Sequence, residues 1–157
     1  GIPTELNASK IGMRGITLPL EFRRDYYYFK DQEIELLLEP LNENSTIQLN
    51  AIYFQQSKST ILPESHQELD RLLRLLNENP SLKIRIEGHT DNLGNPADLK
   101  ALSEKRAEAI QAWLIDHNVN PDRLESIGFG ADKPISTGET ETERAKNRRV
   151  EIRIIKL

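Results

Sequence analysis

From Leu82 to Thr90 apolar and polar side chains alternate: Leu82, Ile84 and Ile86 against Lys83, Arg85 and Glu87. A period of two predicts a strand with one packed and one wet face. "RRVEIRIIK" (Arg148–Lys156) repeats the pattern with Val150, Ile152 and Ile154 inward, and "TIQLNAIYF" and "RLESIGFG" read as further strands. In between, the period lengthens. In "PESHQELDRLLRLLNENP", Leu69, Leu72, Leu73 and Leu76 form one stripe that starts after Pro63 and stops at Asn79 and Pro80, as helices do at such residues. A second helix is predicted over residues 97–117. At about 100° per residue, its Leu99, Leu102, Ile110 and Trp113 share a narrow arc, with Arg106 in the middle. "TETERAKN" reads as a short helix or turn before the last strand.

From Thr46 the order is therefore β-α-β-α-β-β. Strands alternating with helices predict right-handed parallel crossovers. Helices on one face of a mixed sheet, with the other face solvated, make a two-layer α/β sandwich. The first 45 residues break this pattern. "ITLPLEF" (Ile16–Phe22) and "EIELLLEP" (Glu33–Pro40) look like short strands around "YYYF" (Tyr26–Phe29), and "NENS" (Asn42–Ser45) is a polar break. The expected organisation is a β-rich extension or remnant of a preceding module over residues 1–45, and one domain over residues 46–157. The chain begins at Gly1, so it is expected to be a piece of a longer protein, with any signal peptide or lipid anchor upstream.

Composition narrows the chemistry. Charged residues make up 29% of 157, and the net charge is −4, which argues for neither nucleic acid nor an anionic membrane surface as partner, and no nucleic-acid partner is expected. No apolar run approaches the roughly 20 residues of a spanning helix. Cysteine is absent, which removes disulfides, thiolate catalysis and cysteine metal sites.

Arg106 poses the main question. A guanidinium on an apolar face needs an anionic partner, or desolvation costs several kcal/mol. Asp91, in the loop that feeds the helix, is the nearest candidate. Two readings follow. Asp91 and Arg106 form a structural ion pair that fixes the loop, or they face an open cleft. In a cleft the two would suit a zwitterion, with the carboxylate taking an ammonium and the guanidinium gripping a carboxylate at two points.

"GHTDNLG", "LSEKRA", "GFGADKP" and "AKNRRVEI" occur in that order, and together they resemble the OmpA-like peptidoglycan-binding domain family over about Thr46 to Leu157. The resemblance implies the sandwich just described and a periplasmic, outer-membrane-associated role. It also implies non-covalent binding of the peptidoglycan peptide stem, chiefly meso-diaminopimelate, with no cofactor and no metal. Asp91 and Arg106 match the residues that hold the diaminopimelate head group. Thr90, Leu102, Gln55, Gln56 and Ser57 are expected around them. "YFQQSKS" departs from the family's acidic first-strand end, and Leu99 stands where an asparagine is common. Arg148 and Arg149 match the paired arginines and are expected to close the strand and the loop around Asp91. The alternative is a protein-interaction module of an envelope assembly, a secretion or motility machine.

An enzyme is the rival from another class. Glu87, His89 and Asp91 lie close in sequence, but Glu87 and His89 are expected on the wet face of their strand. The other histidines, His66 and His117, lie far away on helices. There is no serine elbow or phosphate-cradling glycine loop.

Overall fold

The computed structural model describes residues 5–8, 16–19, 42–49 and 51–157. The chain divides into two units, Gly1–Leu41 and Asn42–Leu157. In the first, β1 (Glu5–Ala8) pairs antiparallel with β2 (Ile16–Pro19), Glu5 opposite Pro19 and Ala8 opposite Ile16. The strand over Glu5–Ala8 was not expected from the sequence pattern. Residues 20–22, "YYYF" and the strand expected at Glu33–Pro40 lie outside the described residues.

The second unit runs β3 (Thr46–Leu49), α1 (His66–Glu78), β4 (Lys83–His89), α2 (Pro96–Asp116), β5 (Leu124–Gly130), α3 (Glu141–Asn147) and β6 (Val150–Lys156). Its sheet has the order β3-β6-β4-β5. β4 and β5 are parallel, while β6 enters between β3 and β4 and runs antiparallel to both. This is the mixed α/β sheet that the pattern predicts. β3 is shorter than the expected 46–54. Between Leu49 and α1 the described residues form one isolated bridge, between Phe54 and Ile61. There local bonds replace the sheet ladder: Leu62 N–H donates to the Tyr53 carbonyl at 2.9 Å, and Gln55 N–H to that of Thr60 at 2.9 Å.

Leu69, Leu72 and Leu76 of α1 and Ile84, Ile86, Ile152 and Ile154 of the sheet all belong to the buried core. Leu73 is only half-buried. The buried stripe of α2 differs from the expected arc. It is Ser103, Ala107, Ile110 and Leu114. At about 100° per residue, Arg106 lies about 70° off the centre of that stripe, and Leu99, Leu102 and Trp113 lie on the same flank. The small side chains win the centre because the helix presses on glycines. A Cβ on Gly88 would collide with the Ser103 carbonyl, and one on Gly128 with the backbone nitrogen of Glu104. Ser103 Oγ donates to the Lys100 carbonyl and accepts from Gly130 N–H, both at 2.8 Å.

The opposite face of the sheet carries ion pairs. Arg85 donates to Glu125 at 2.8 Å, Arg153 to Glu87 at 2.7 Å and Arg149 to Glu151 at 2.6 Å. This face is not wet throughout, as alternation alone implied: Glu87 is 1% exposed and His89 2%. Long guanidinium stems from the neighbouring strand cover the middle of the face, and each buried carboxylate is matched by a cation.

Candidate functional site

The turn after β3 forms one wall of a cleft of about 1080 Å³. Lys58 N–H donates to the Gln55 carbonyl at 3.0 Å, and Ser57 takes a left-handed backbone with φ of 55°. Gln55 closes this turn through its own backbone and does not line the cleft, whereas Gln56 and Ser57 do. The other wall is the β4–α2 loop and the first turns of α2, with Thr90, Asp91, Leu102 and Arg106. Six of the seven residues expected around a ligand therefore share one cleft.

Arg106 is half-buried and sits over aromatic surface. Its guanidinium carbon lies 5.0 Å from the centre of the Phe54 ring, and its Nε donates to the Lys58 carbonyl at 3.1 Å. Burial, and then repulsion from Arg148, lowers its pKa below the ordinary arginine value, against the pull of Asp91. Among the described residues no carboxylate forms an ion pair with it. The guanidinium thus faces the cleft with its terminal donors uncommitted to any acid.

Of the two readings, the structural ion pair between Asp91 and Arg106 is not formed. Asp91 pairs instead with Arg148, whose Nη1 donates to Asp91 Oδ2 at 2.7 Å. Asp91 Oδ1 accepts from Leu93 N–H at 3.1 Å, and Thr90, which is buried, donates its hydroxyl to the Asp91 carbonyl at 2.9 Å. Asp91 is thereby fixed where β4 ends, just before Asn95 caps α2 by accepting from Ala97 N–H. Arg148 starts the segment leading into β6 and wins Asp91 on proximity. Arg106 is held back by the Phe54 ring and the Lys58 carbonyl.

Arg148 closes the loop around Asp91, as the resemblance implied, whereas Phe54 and Glu141 also line the cleft without having been expected there. Arg148 also donates through Nη2 to Glu141 Oε1. Glu141 opens α3, which starts with a reciprocal capping box between Thr140 and Glu143, the pattern that "TETE" spells. Arg149 turns away. It is 9% exposed and bonds Glu151 and the Lys133 carbonyl.

Glu87, His89 and Glu151 each bring one potential metal-ligand atom within 4.8 Å of the others. Asp91, grouped with Glu87 and His89 in the sequence, is not among them. The trio fits a cation poorly, because Arg153 and Arg149 already neutralise both carboxylates. The His89 ring, stacked on Phe129 at 5.5 Å, has neither nitrogen hydrogen-bonded. Its pKa falls from 6.5 to about 4, through burial first and then Arg149, so it is a neutral packed ring at pH 7.

Among the described residues no helix is long and apolar enough to cross a membrane. The model of the OmpA family matches residues 53–148. The chain is 35% identical over 114 residues to a peptidoglycan-associated lipoprotein of Pseudomonas putida, covering 72% of this chain and 68% of that protein. It is 33% identical to outer membrane porin F of Pseudomonas fluorescens over 64% of this chain, but spans only 31% of that protein's length. The crystal structure of the peptidoglycan-associated lipoprotein from Burkholderia pseudomallei superposes with a TM-score of 0.61 at 29% identity, covering 66% of this chain and 88% of that one.

Proposed function

This chain belongs to the OmpA family, and we propose that its domain over residues 46–157 binds the peptide stem of peptidoglycan non-covalently through meso-diaminopimelate. The observation that carries this reading is Arg106, a half-buried guanidinium that faces a cleft without a carboxylate of its own. A diaminopimelate side chain ends in a carboxylate and an ammonium on one carbon. The guanidinium grips the carboxylate at two points, and Asp91 takes the ammonium. Thr90 fixes the Asp91 backbone, Gln56 and Ser57 offer polar contacts along the turn, and Leu102 supplies an apolar wall. Gln55 contributes by shaping that turn. The domain works in the periplasm and ties an outer-membrane or envelope protein to the wall. It is a binding module and needs no cofactor or metal.

A sacculus pull-down with and without a competing diaminopimelate tripeptide tests this. Retention on sacculi that the free peptide reverses is the expected result. A folded protein that stays in the supernatant would overturn the reading and favour a module that binds envelope proteins only.

A further inference from the structure

The cation that holds Asp91 is shared between two acids. Arg148 gives Nη1 to Asp91 and Nη2 to Glu141. The two carboxylates both line the cleft but differ in exposure: the Asp91 side chain is 12% exposed, whereas that of Glu141, on α3, is 67% exposed. Both hold Arg148 protonated, Glu141 first. With Leu93 N–H on its other oxygen, Asp91 offers little free anionic surface in this state. Arg148 is already where a ligand ammonium would go.

On the reading that the cleft takes a diaminopimelate stem, we propose that Arg148 is a built-in competitor for the ligand ammonium, and that Glu141 is the positioning residue that takes Arg148 when the ammonium arrives. The exchange needs no charge to be stranded. The ammonium replaces one guanidinium donor on Asp91, and the guanidinium keeps its second acid. Without Glu141, Arg148 would spend its whole charge on Asp91. Without Arg148, Asp91 would meet the ammonium as an unpaired carboxylate. The ligand carboxylate meets Arg106, outside this exchange. The pair therefore sets how much the ammonium contributes to affinity, and so how strongly the cleft separates free from capped amines.

The test uses two tripeptides, one with the diaminopimelate side-chain amine free and one with that amine acetylated, both keeping the carboxylate. Calorimetry on the wild type, Arg148→Gln and Glu141→Gln gives the ratio of their affinities, and urea titration confirms that each variant is folded. Arg148→Gln should raise the preference for the free amine by about fivefold, the size expected of one partly exposed charge pair. Glu141→Gln, at an exposed position, should lower it. An unchanged or smaller preference in folded Arg148→Gln, or an unchanged one in Glu141→Gln, would mean that Arg148 only orients Asp91 and does not compete. A wild type that binds neither peptide would overturn the stem reading itself, and the competition with it.

Discussion

Arg106 lies over the Phe54 ring, its guanidinium carbon 5.0 Å from the ring centre. The contact joins α2 to the turn after β3, which form opposite walls of the cleft. It also explains how a helix carries a cation beside its buried stripe. The aromatic face and the Lys58 carbonyl replace part of the lost hydration, and the terminal donors remain for a ligand.

Arg106→Ala should lose the ring contact and one hydrogen bond, offset in part by alanine's helix propensity. The net cost should be about 1–2 kcal/mol. A buried pair that lost one partner would cost about 3–5 kcal/mol, and no such pair exists here. The variant should stay folded and lose most sacculus binding. Arg106→Lys should fold and still bind poorly, because an ammonium cannot make the planar two-point grip. Urea titration and pull-down on both variants check this. Full retention of binding in a folded Arg106→Ala would place the ligand elsewhere.

Phe54→Leu keeps apolar bulk but removes the aromatic face. The guanidinium should lose its seat while the fold loses about 1 kcal/mol. Binding should fall several-fold more than so small a stability change implies. Binding indistinguishable from wild type in calorimetry would show that Lys58 alone positions Arg106.

Peptidoglycan binding should weaken with added salt, since the proposed contacts are charge-assisted and partly exposed. Retention on sacculi that is the same at low ionic strength and at about 1 M salt would exclude an Asp91/Arg106 clamp.

Strands β4, β5 and β6 and both long helices were legible in the sequence because their periods are set by local packing. Asp91 and Arg106 were legible as cleft residues, but not in their pairing. Spacing along a chain cannot show that Arg148, 57 residues after Asp91, returns between α3 and β6 to take its carboxylate; only the family resemblance put Arg148 at that loop. The α2 stripe was misplaced for a related reason. Ser103 and Ala107 look too small to lead a core face, yet they lead this one because Gly88 and Gly128 bring the sheet against the helix backbone. The buried state of Glu87 and His89 depends on Arg153 of β6 and on Arg149 just before it, which alternation within β4 does not record. In β3 the turn's own hydrogen bonds won over strand propensity.

Gly128→Ala tests that close packing. The added methyl would meet the Glu104 backbone nitrogen and Ser103 Oγ, and helix backbone cannot step aside as a flexible side chain can. Overpacking of this kind costs about 1–3 kcal/mol, and the rigid neighbour points to the upper end. The urea midpoint should fall accordingly. A midpoint within error of wild type would mean that α2 shifts outward freely, and with it the wall that carries Arg106.

His89 should make the domain acid-sensitive in a defined window. Its folded pKa of about 4 lies below the ordinary 6.5, so between those values the unfolded chain takes up a proton that the folded one refuses. Stability is then full above about pH 6.5, falls as the pH drops, and stops falling from this source near pH 4. The groups facing the ring agree with that sign. Arg149 and Lys133 oppose a proton, Glu151 and Glu87 favour it, and burial, the largest single influence, also opposes it. From pH 7 to pH 5 the loss from His89 should be about 2 kcal/mol, before most carboxylates begin to titrate. His89→Phe keeps a flat ring against Phe129 and removes two buried nitrogens that have no hydrogen bond. It should therefore flatten that part of the profile and stabilise the domain at pH 5. Urea titrations of both proteins at pH 7 and pH 5 measure the difference. Equal losses in the two would mean that the imidazole gains its proton in the folded state as readily as in the unfolded one, and that Glu151, 3.8 Å from Nε2, rather than burial, governs the ring.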